Sequence, residues 1–121
     1  MNVNRRTELA NNYFEAIDNE AYDDLQAVFS NDVVYKFPGQ ESIRGVENVL
    51  VFFKQKRPTE ELAHEVTGWV HDEDVTVIEG TATGTGSRDS TEVYFCDVVA
   101  FDEQEDRITE LAVYSRSEGD N

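Results

Sequence analysis

The chain has 121 residues, 39% of them hydrophobic, which predicts one domain spanning residues 1–121 with a single core. Its 26 acidic and 10 basic residues give a net charge of −16. This charge argues against binding to nucleic acid or to an anionic membrane because phosphates would be repelled. No apolar run reaches the roughly 18 residues of a membrane span.

The acidic residues are spread along the whole chain and do not form one block. Spread charge favours a solvated surface adapted to concentrated salt, as in a protein from a salt-adapted organism, since salt screens the repulsion between like charges. The alternative is an acidic face that binds a basic partner.

The N-terminal half is predicted to contain helices and one strand. Apolar residues at helical spacing predict an amphipathic helix over Arg5–Asp18, with Asn4 as its N-cap. A short helix, Tyr22–Phe29, follows, and Ser30–Asp32 predicts a turn. Alternating apolar residues predict a strand over Val33–Phe37.

A third helix is predicted before the spacing of apolar residues changes from helical to every second residue. This helix covers Val46–Lys56. Four strands joined by short polar turns follow: Leu62–Val70, Val75–Gly84, Thr91–Phe101 and Ile108–Ser115. Glycines at positions 68, 80 and 84 lie within these strands and predict bulges or bends.

This order of elements predicts an α+β fold in which three N-terminal helices pack on a strongly curved, mostly antiparallel sheet. A bent sheet wrapped around helices encloses a cone-shaped space. That space is either filled by side chains or open as a pocket.

Seven stretches, in their order and spacing, resemble the nuclear-transport-factor-2-like superfamily, particularly its SnoaL-like and ketosteroid-isomerase-like members. They are Tyr13–Ile17, Leu25–Asp32, Phe37–Gly39, Ile43–Glu47, Gly80–Gly84, Asp97–Phe101 and Ile108–Leu111. The resemblance implies a cone-shaped, barrel-like fold, a deep pocket and a homodimer. It implies little about the reaction, because this fold hosts isomerases, cyclases, hydrolases, dehydratases and non-enzymatic binders.

Asp97 is the first candidate for chemistry because it lies in an apolar strand on the same side as Phe95 and Val99. A buried acid has a raised pKa or a hydrogen-bond partner. The ketosteroid-isomerase-like pattern implies that Tyr13 and Asp97 form an oxyanion hole. The alternatives are that Asp97 pairs with a polar neighbour in the core or faces a dimer interface.

The position of the family's catalytic base is occupied by Phe37, which cannot take a proton. A steroid isomerase is therefore not expected. Glu79 is a candidate replacement because the hairpin register brings it near Asp97, although an outward, solvated Glu79 is favoured. Glu110 in the last strand is a weaker candidate.

Six residues are candidates for a ligand-binding wall: Tyr35, Phe37, Phe53, Trp69, Val99 and Leu111. Aromatic residues in strands are most often part of the core. The side chain of His64 could face either way, whereas His71 is expected to be exposed. Neither histidine has a metal-ligand spacing, so we expect no metal site and no cofactor.

The single cysteine, Cys96, is expected to be a core or interface thiol and suits a reducing compartment. With no secretory signal in the sequence, a cytoplasmic location is expected.

Two functions remain open. The first is a cofactor-independent isomerase or cyclase that acts by proton transfer on a small hydrophobic carbonyl ligand, using Tyr13, Asp97 and Glu79. The second is a non-catalytic dimeric module that binds a ligand or partner. A cavity of some 300 Å³ beside Asp97 is expected of the first, and a filled core of the second.

Overall fold

The computed structural model describes residues 1–56, 62–84 and 91–117. Helix α1 covers Val3–Asp18, and the side chain of Asn2 caps it by accepting a 3.0 Å hydrogen bond from the backbone N–H of Arg5. The predicted N-cap, Asn4, was wrong by two residues. The apolar face of α1 is buried as predicted, with Leu9, Tyr13 and Ile17 in the core.

The second predicted helix is a single 3₁₀ helix, Tyr22–Ala27. It ends early because Phe29 begins strand β1, Phe29–Lys36. The predicted turn at Ser30–Asp32 was also wrong. These polar residues lie in an irregular part of β1, where the pairing register shifts between Phe29 and Val34, so that Asn31 and Asp32 remain exposed.

The other predicted elements are present with small changes of bounds. A two-residue strand that the sequence did not predict, β2, Ile43–Arg44, precedes α2, Val46–Lys56. The long strands are β3, Leu62–His71; β4, Val75–Gly84; β5, Thr91–Phe101; and β6, Ile108–Ser117.

The strands form one open sheet in the order β2-β1-β6-β5-β4-β3. All neighbouring strands are antiparallel except β1 and β6, which are parallel. The α+β class is confirmed, but α2 follows the first two strands, so the three helices are not all N-terminal to the sheet. None of the described helices has the length and apolarity to cross a membrane.

A bulge in β3 accounts for the predicted bend at two of the three glycines. Val66 pairs with Gly80 and Gly68 pairs with Glu79, so Thr67 is an extra residue in β3. A Cβ at Gly80 would lie only 2.1 Å from the backbone oxygen of Glu65. Glycine is therefore required where the two strands approach most closely.

Arg6 joins α1 to two turns of the sheet. Its guanidinium donates to Glu105 at 2.6 Å and to the carbonyl oxygens of Asp72 and Glu73 at 2.6 and 2.7 Å, and only 3% of the residue is exposed. Burial alone would raise the pKa of Glu105, but the hydrogen bond and charge of Arg6 hold it below its ordinary value. These contacts tie the N-terminal helix to the β3–β4 and β5–β6 turns.

Candidate functional site

Asp97 is buried in the middle of β5, with 2% of its surface exposed. It lies on the core side of the strand with Phe95 and Val99, as predicted. Its Oδ1 has no hydrogen-bond partner among the described residues. Burial raises the pKa of Asp97 to about 8, so the carboxyl is mostly neutral at pH 7 and can donate a hydrogen bond.

Asp97 faces a cavity of about 40 Å³. The cavity is lined by residues from α1, α2 and four strands: Tyr13, Ile17, Tyr35, Phe37, Phe53, His64, Phe95, Asp97 and Val113. This volume holds about three water molecules, since one water needs roughly 10–15 Å³ of such space. The cavity is smaller than the roughly 300 Å³ expected of an enzyme pocket, yet the core beside Asp97 is not completely filled.

Two tyrosines provide the other polar atoms of the cavity wall. The hydroxyls of Tyr13 and Tyr35 are 2.8 Å apart and share a hydrogen bond. Both tyrosines are almost fully buried and pack against Phe29. Their hydroxyls are thus held in an apolar environment, where hydrogen bonds are stronger than in water.

Phe37 separates this cavity from a larger outer groove. The groove has a volume of about 320 Å³ and runs between the end of β1 and β6, where it is lined by Phe37, Pro38, Val113 and Tyr114, among others. Phe37 and Val113 line both spaces. The wall between the groove and the buried carboxyl therefore consists of two half-buried apolar side chains.

A histidine and an aspartate form a pair at another part of the cavity wall. The Nδ1 of His64 is 2.5 Å from Oδ1 of Asp18, and the backbone N–H of His64 donates to Oδ2 of Asp18 at 3.0 Å. The ring of His64 packs on Phe14 and Phe95, with centroids 5.1 and 5.5 Å away. The last turn of α1 thereby positions the imidazole at the cavity.

The structure brings together five of the predicted site residues: Tyr13, Tyr35, Phe37, Phe53 and Asp97. The remaining predicted wall residues lie outside the cavity lining. Val99 and Leu111 are fully buried in the core, and Trp69 is half-buried, with its ring stacked on His71. The apolar character of these three residues reflects packing in or against the core.

The predicted proximity of Glu79 and Asp97 was wrong, and the outward alternative was correct. Glu79 pairs with Cys96, one residue before Asp97, and is exposed on the other face of the sheet. Its carboxylate lies over Gly68. Side chains alternate across a strand, so neighbouring register positions do not share a face.

Glu110 and Cys96 also lie away from the cavity. Glu110 is partly exposed and forms an ion pair with Lys36 at 3.4 Å. Cys96 is half-buried, and burial, with further contributions from the carboxyls of Asp97 and Glu79, raises the pKa of its thiol. A raised pKa makes the thiol a poorer nucleophile at neutral pH.

Four cavity residues were not predicted as site residues: Ile17, His64, Phe95 and Val113. The sequence could have predicted that His64 faces inwards. It lies two residues before Val66, on the same face of β3, and Val66 packs against the core. The pairing of His64 with Asp18 could not be read from the sequence, since the two are 46 residues apart.

Solved structures with the same architecture come from several bacteria. They include an LEH-like epoxide hydrolase from M. tuberculosis (19% identity, TM-score 0.79, covering 93% of this chain and 84% of that one). A candidate SnoaL-like polyketide cyclase from Shewanella denitrificans has 16% identity and a TM-score of 0.81, covering 92% and 90%. IdmH, a candidate polyketide cyclase from Streptomyces antibioticus, has 16% identity and a TM-score of 0.75, covering 91% of each chain.

At these identities the structural likeness establishes the fold alone. No curated protein matches the chain. The family model of the SnoaL-like domain, however, matches residues 10–111, which is most of the chain. The resemblance found in the sequence motifs is thereby confirmed, and the chain belongs to the SnoaL-like domain family.

Proposed function

We propose that this SnoaL-like protein binds a small hydrophobic carbonyl compound at Asp97 and promotes proton transfer beside that carbonyl, without a cofactor. The observation that carries the proposal is the buried carboxyl of Asp97, whose Oδ1 has no hydrogen-bond partner among the described residues. An unpartnered buried carboxyl costs free energy in the ligand-free protein. A ligand oxygen that accepts a hydrogen bond from the protonated carboxyl offsets that cost.

The proposed chemistry is stabilisation of negative charge on the ligand oxygen. Neutral Asp97 donates one hydrogen bond, and the hydroxyl of Tyr13, which lines the same cavity, turns to donate a second. In an apolar site such donors favour an enolate over the carbonyl form. Removing one donor of this kind typically costs about 10²–10³ in rate.

The ligand reaches Asp97 through the outer groove. The groove volume of about 320 Å³ suits a small organic compound, whereas the cavity of about 40 Å³ does not. Phe37 and Val113 lie between them. Displacement of Phe37 joins the two spaces and gives the ligand access to the carboxyl.

Binding of para-nitrophenol tests the proposal, because its oxygen resembles that of an enolate and its absorbance reports ionisation. The wild type is expected to bind it, and Asp97→Leu is expected to weaken binding at least about tenfold, the loss of one hydrogen bond to a charged group. Glu79→Gln on the exposed face is the matched control and should leave affinity unchanged. Equal affinity of Asp97→Leu and the wild type, or no binding by either, contradicts the proposal.

A second candidate function, the non-catalytic dimeric module, is favoured by the outer face of the sheet. Val70 and Tyr114 are 62% and 60% exposed there. Exposed apolar residues on one face suit a second copy of this chain. Sedimentation velocity over a range of concentrations tests this, and Tyr114→Lys should shift a dimer towards monomer, whereas a wild type that stays monomeric contradicts it.

The cytoplasmic location and the salt adaptation stay predictions. The first rests on the sequence features given above, and the second on the net charge of −16.

A further inference from the structure

We infer that His64 is the general base of this site and that Asp18 is the residue that orients it, an inference that rests on the proposed function. Phe37 lines the cavity but cannot take a proton, and Glu79 lies on the outer face. A proton-transfer site therefore needs another base at the cavity. His64 lines the cavity and is the imidazole among its described lining residues.

The contact with Asp18 sets the tautomer of His64. A carboxylate can only accept, so Nδ1 carries the proton and donates it to Oδ1 of Asp18 over 2.5 Å. The other ring nitrogen, Nε2, then has a lone pair, and it makes no hydrogen bond to any residue that the structure describes. A neutral imidazole with its lone pair available is the form that a general base requires.

The orientation of the ring is fixed from several sides. Asp18 contacts both the ring and the backbone of His64. Phe14 lies against one part of the ring and Phe95 against another, edge to face. The side chain of His64 is 13% exposed and that of Asp18 is 24% exposed. The pair is thus largely shielded from water, which strengthens its interaction.

The acid and the base lie on different strands around one small space. Asp97 is on β5 and His64 is on β3, and both line the cavity of about 40 Å³. A ligand whose oxygen reaches Asp97 therefore places its neighbouring carbon near His64. This arrangement selects carbonyl compounds that carry an acidic C–H bond next to the carbonyl group.

The step balances without a co-reactant. Nε2 of His64 takes the proton from the carbon, and the electron pair of the C–H bond forms a C=C bond. The π electrons of the carbonyl move to its oxygen, which Asp97 and Tyr13 stabilise by hydrogen bonds. Return of the proton from His64 to the same carbon, or to another carbon of the conjugated system, restores the base and gives exchange or isomerisation.

Four titratable groups contact the imidazole or line the same cavity. They are Asp18 and Tyr13 from α1, Tyr35 from β1 and Asp97 from β5. The carboxyl group of Asp18 contacts Nδ1 of the ring and stabilises the positive charge that the ring acquires when it takes a proton. Burial raises the pKa of Asp97 to about 8, so this carboxyl is mostly neutral and adds little charge beside the ring at pH 7.

The test uses β-tetralone in heavy water, with loss of its α-proton signals followed by NMR. The wild type is expected to catalyse exchange, and His64→Gln should slow it about 10²–10⁴-fold, the usual contribution of a general base. Binding of para-nitrophenol should remain within about threefold of the wild type. His71→Gln is the matched control, since His71 contacts Thr76 away from the cavity, and should exchange at the wild-type rate.

Two further variants separate catalysis from structure. Asp18→Asn should lower kcat more than it raises KM and shift the pH profile of exchange, which a merely structural contact would not do. His64→Ala should recover part of the lost rate when imidazole is added, because the missing group is a base. Absence of this recovery, in a variant that still binds para-nitrophenol, contradicts the role of His64.

The outcomes distinguish the two proposals. Exchange at the wild-type rate in His64→Gln, with binding retained, overturns the base assignment and leaves the proposed function standing. Binding without exchange in the wild type overturns the base assignment together with the proton-transfer part of the proposed function, and leaves only the binding part standing. A wild type that neither binds para-nitrophenol nor exchanges the ketone overturns both.

Discussion

Phe37 lies stacked on Tyr35, with ring centroids 6.2 Å apart and planes inclined by 14°. Tyr35 in turn shares a hydrogen bond of 2.8 Å with Tyr13 at the cavity wall. Phe37 also packs on Phe52, 5.3 Å away between centroids. Phe37 thus lines the cavity and supports its polar wall, and its side chain cannot supply a base.

Phe37→Ala should open the cavity to the outer groove. We expect para-nitrophenol to associate at least about tenfold faster, because the ligand no longer waits for a side chain to move. The free energy of unfolding should fall by about 1–3 kcal/mol, since a half-buried phenyl ring is lost. Stopped-flow absorbance and urea unfolding measure the two effects. Phe101→Ala is the control, since Phe101 is also half-buried but lies beside Arg6. It should lose similar stability and bind para-nitrophenol at the wild-type rate. A similar acceleration in this variant contradicts the position of Phe37 between the cavity and the groove.

Asp97→Asn should change how stability depends on pH. The folded-state pKa of Asp97 is raised to about 8, whereas an unfolded aspartate titrates near its ordinary value of about 3.9. The native state therefore holds one more proton between these values, and stability falls as pH rises through this range. From pH 5 to pH 8 the wild type should lose up to about 4 kcal/mol relative to the variant.

Urea unfolding of both proteins at several pH values measures this difference. Asp102→Asn, in the turn after β5, serves as a control for a general effect of removing one charge. Parallel pH curves for the wild type and Asp97→Asn would mean that Asp97 is not held neutral in the native state.

Arg6→Met should destabilise the fold strongly. The change leaves the carboxylate of Glu105 and the carbonyl oxygens of Asp72 and Glu73 without their buried donor. Removing the donor of a hydrogen-bonded acceptor in a partly buried site costs about 1–3 kcal/mol. Arg5→Met, which removes a partly exposed contact with Glu8, should cost less than about 1 kcal/mol. Chemical denaturation compares the two, and equal losses contradict the structural role of Arg6.

Gly80→Ala should destabilise the β3–β4 pair. Its new methyl group would meet the backbone oxygen of Glu65 at 2.1 Å, and backbone cannot move aside cheaply. The expected loss is about 3 kcal/mol. Gly68→Ala is the matched change, because there the nearest atom, at 2.9 Å, is the flexible end of Glu79. Melting temperatures should fall much more for position 80 than for position 68, and the reverse order argues against the close approach.

Salt should stabilise the protein. The net charge of −16 causes self-repulsion in the folded state, and the Debye length falls to about 3 Å at 1 M salt. The melting temperature is expected to rise by at least about 5 °C from dilute buffer to molar potassium chloride, which corresponds to roughly 1 kcal/mol for a domain of this size. An unchanged melting temperature contradicts salt adaptation and favours an acidic face for a basic partner.

Periodicity was sufficient to predict most of the secondary structure. The limits of α2, β4 and β5 agree with the sequence prediction, because each has a sustained apolar pattern and a clear end. The errors lie where polar residues enter a strand. Ser30–Asp32 have turn chemistry, but Phe29 and Val34 on either side of them pair with β6 and keep this stretch in the strand. Tertiary pairing thus overrides local preference.

The sequence by itself predicted the burial of Asp97 from strand parity, and the family resemblance implied that Tyr13 lies at the same site, where both residues line the cavity. Only the tertiary structure decided three further points: the cavity measures about 40 Å³, Glu79 lies outside it, and His64 meets Asp18 at its wall. The physical reason is that parity along one strand follows from local geometry, whereas cavity volume and contacts between distant residues depend on how separate elements pack.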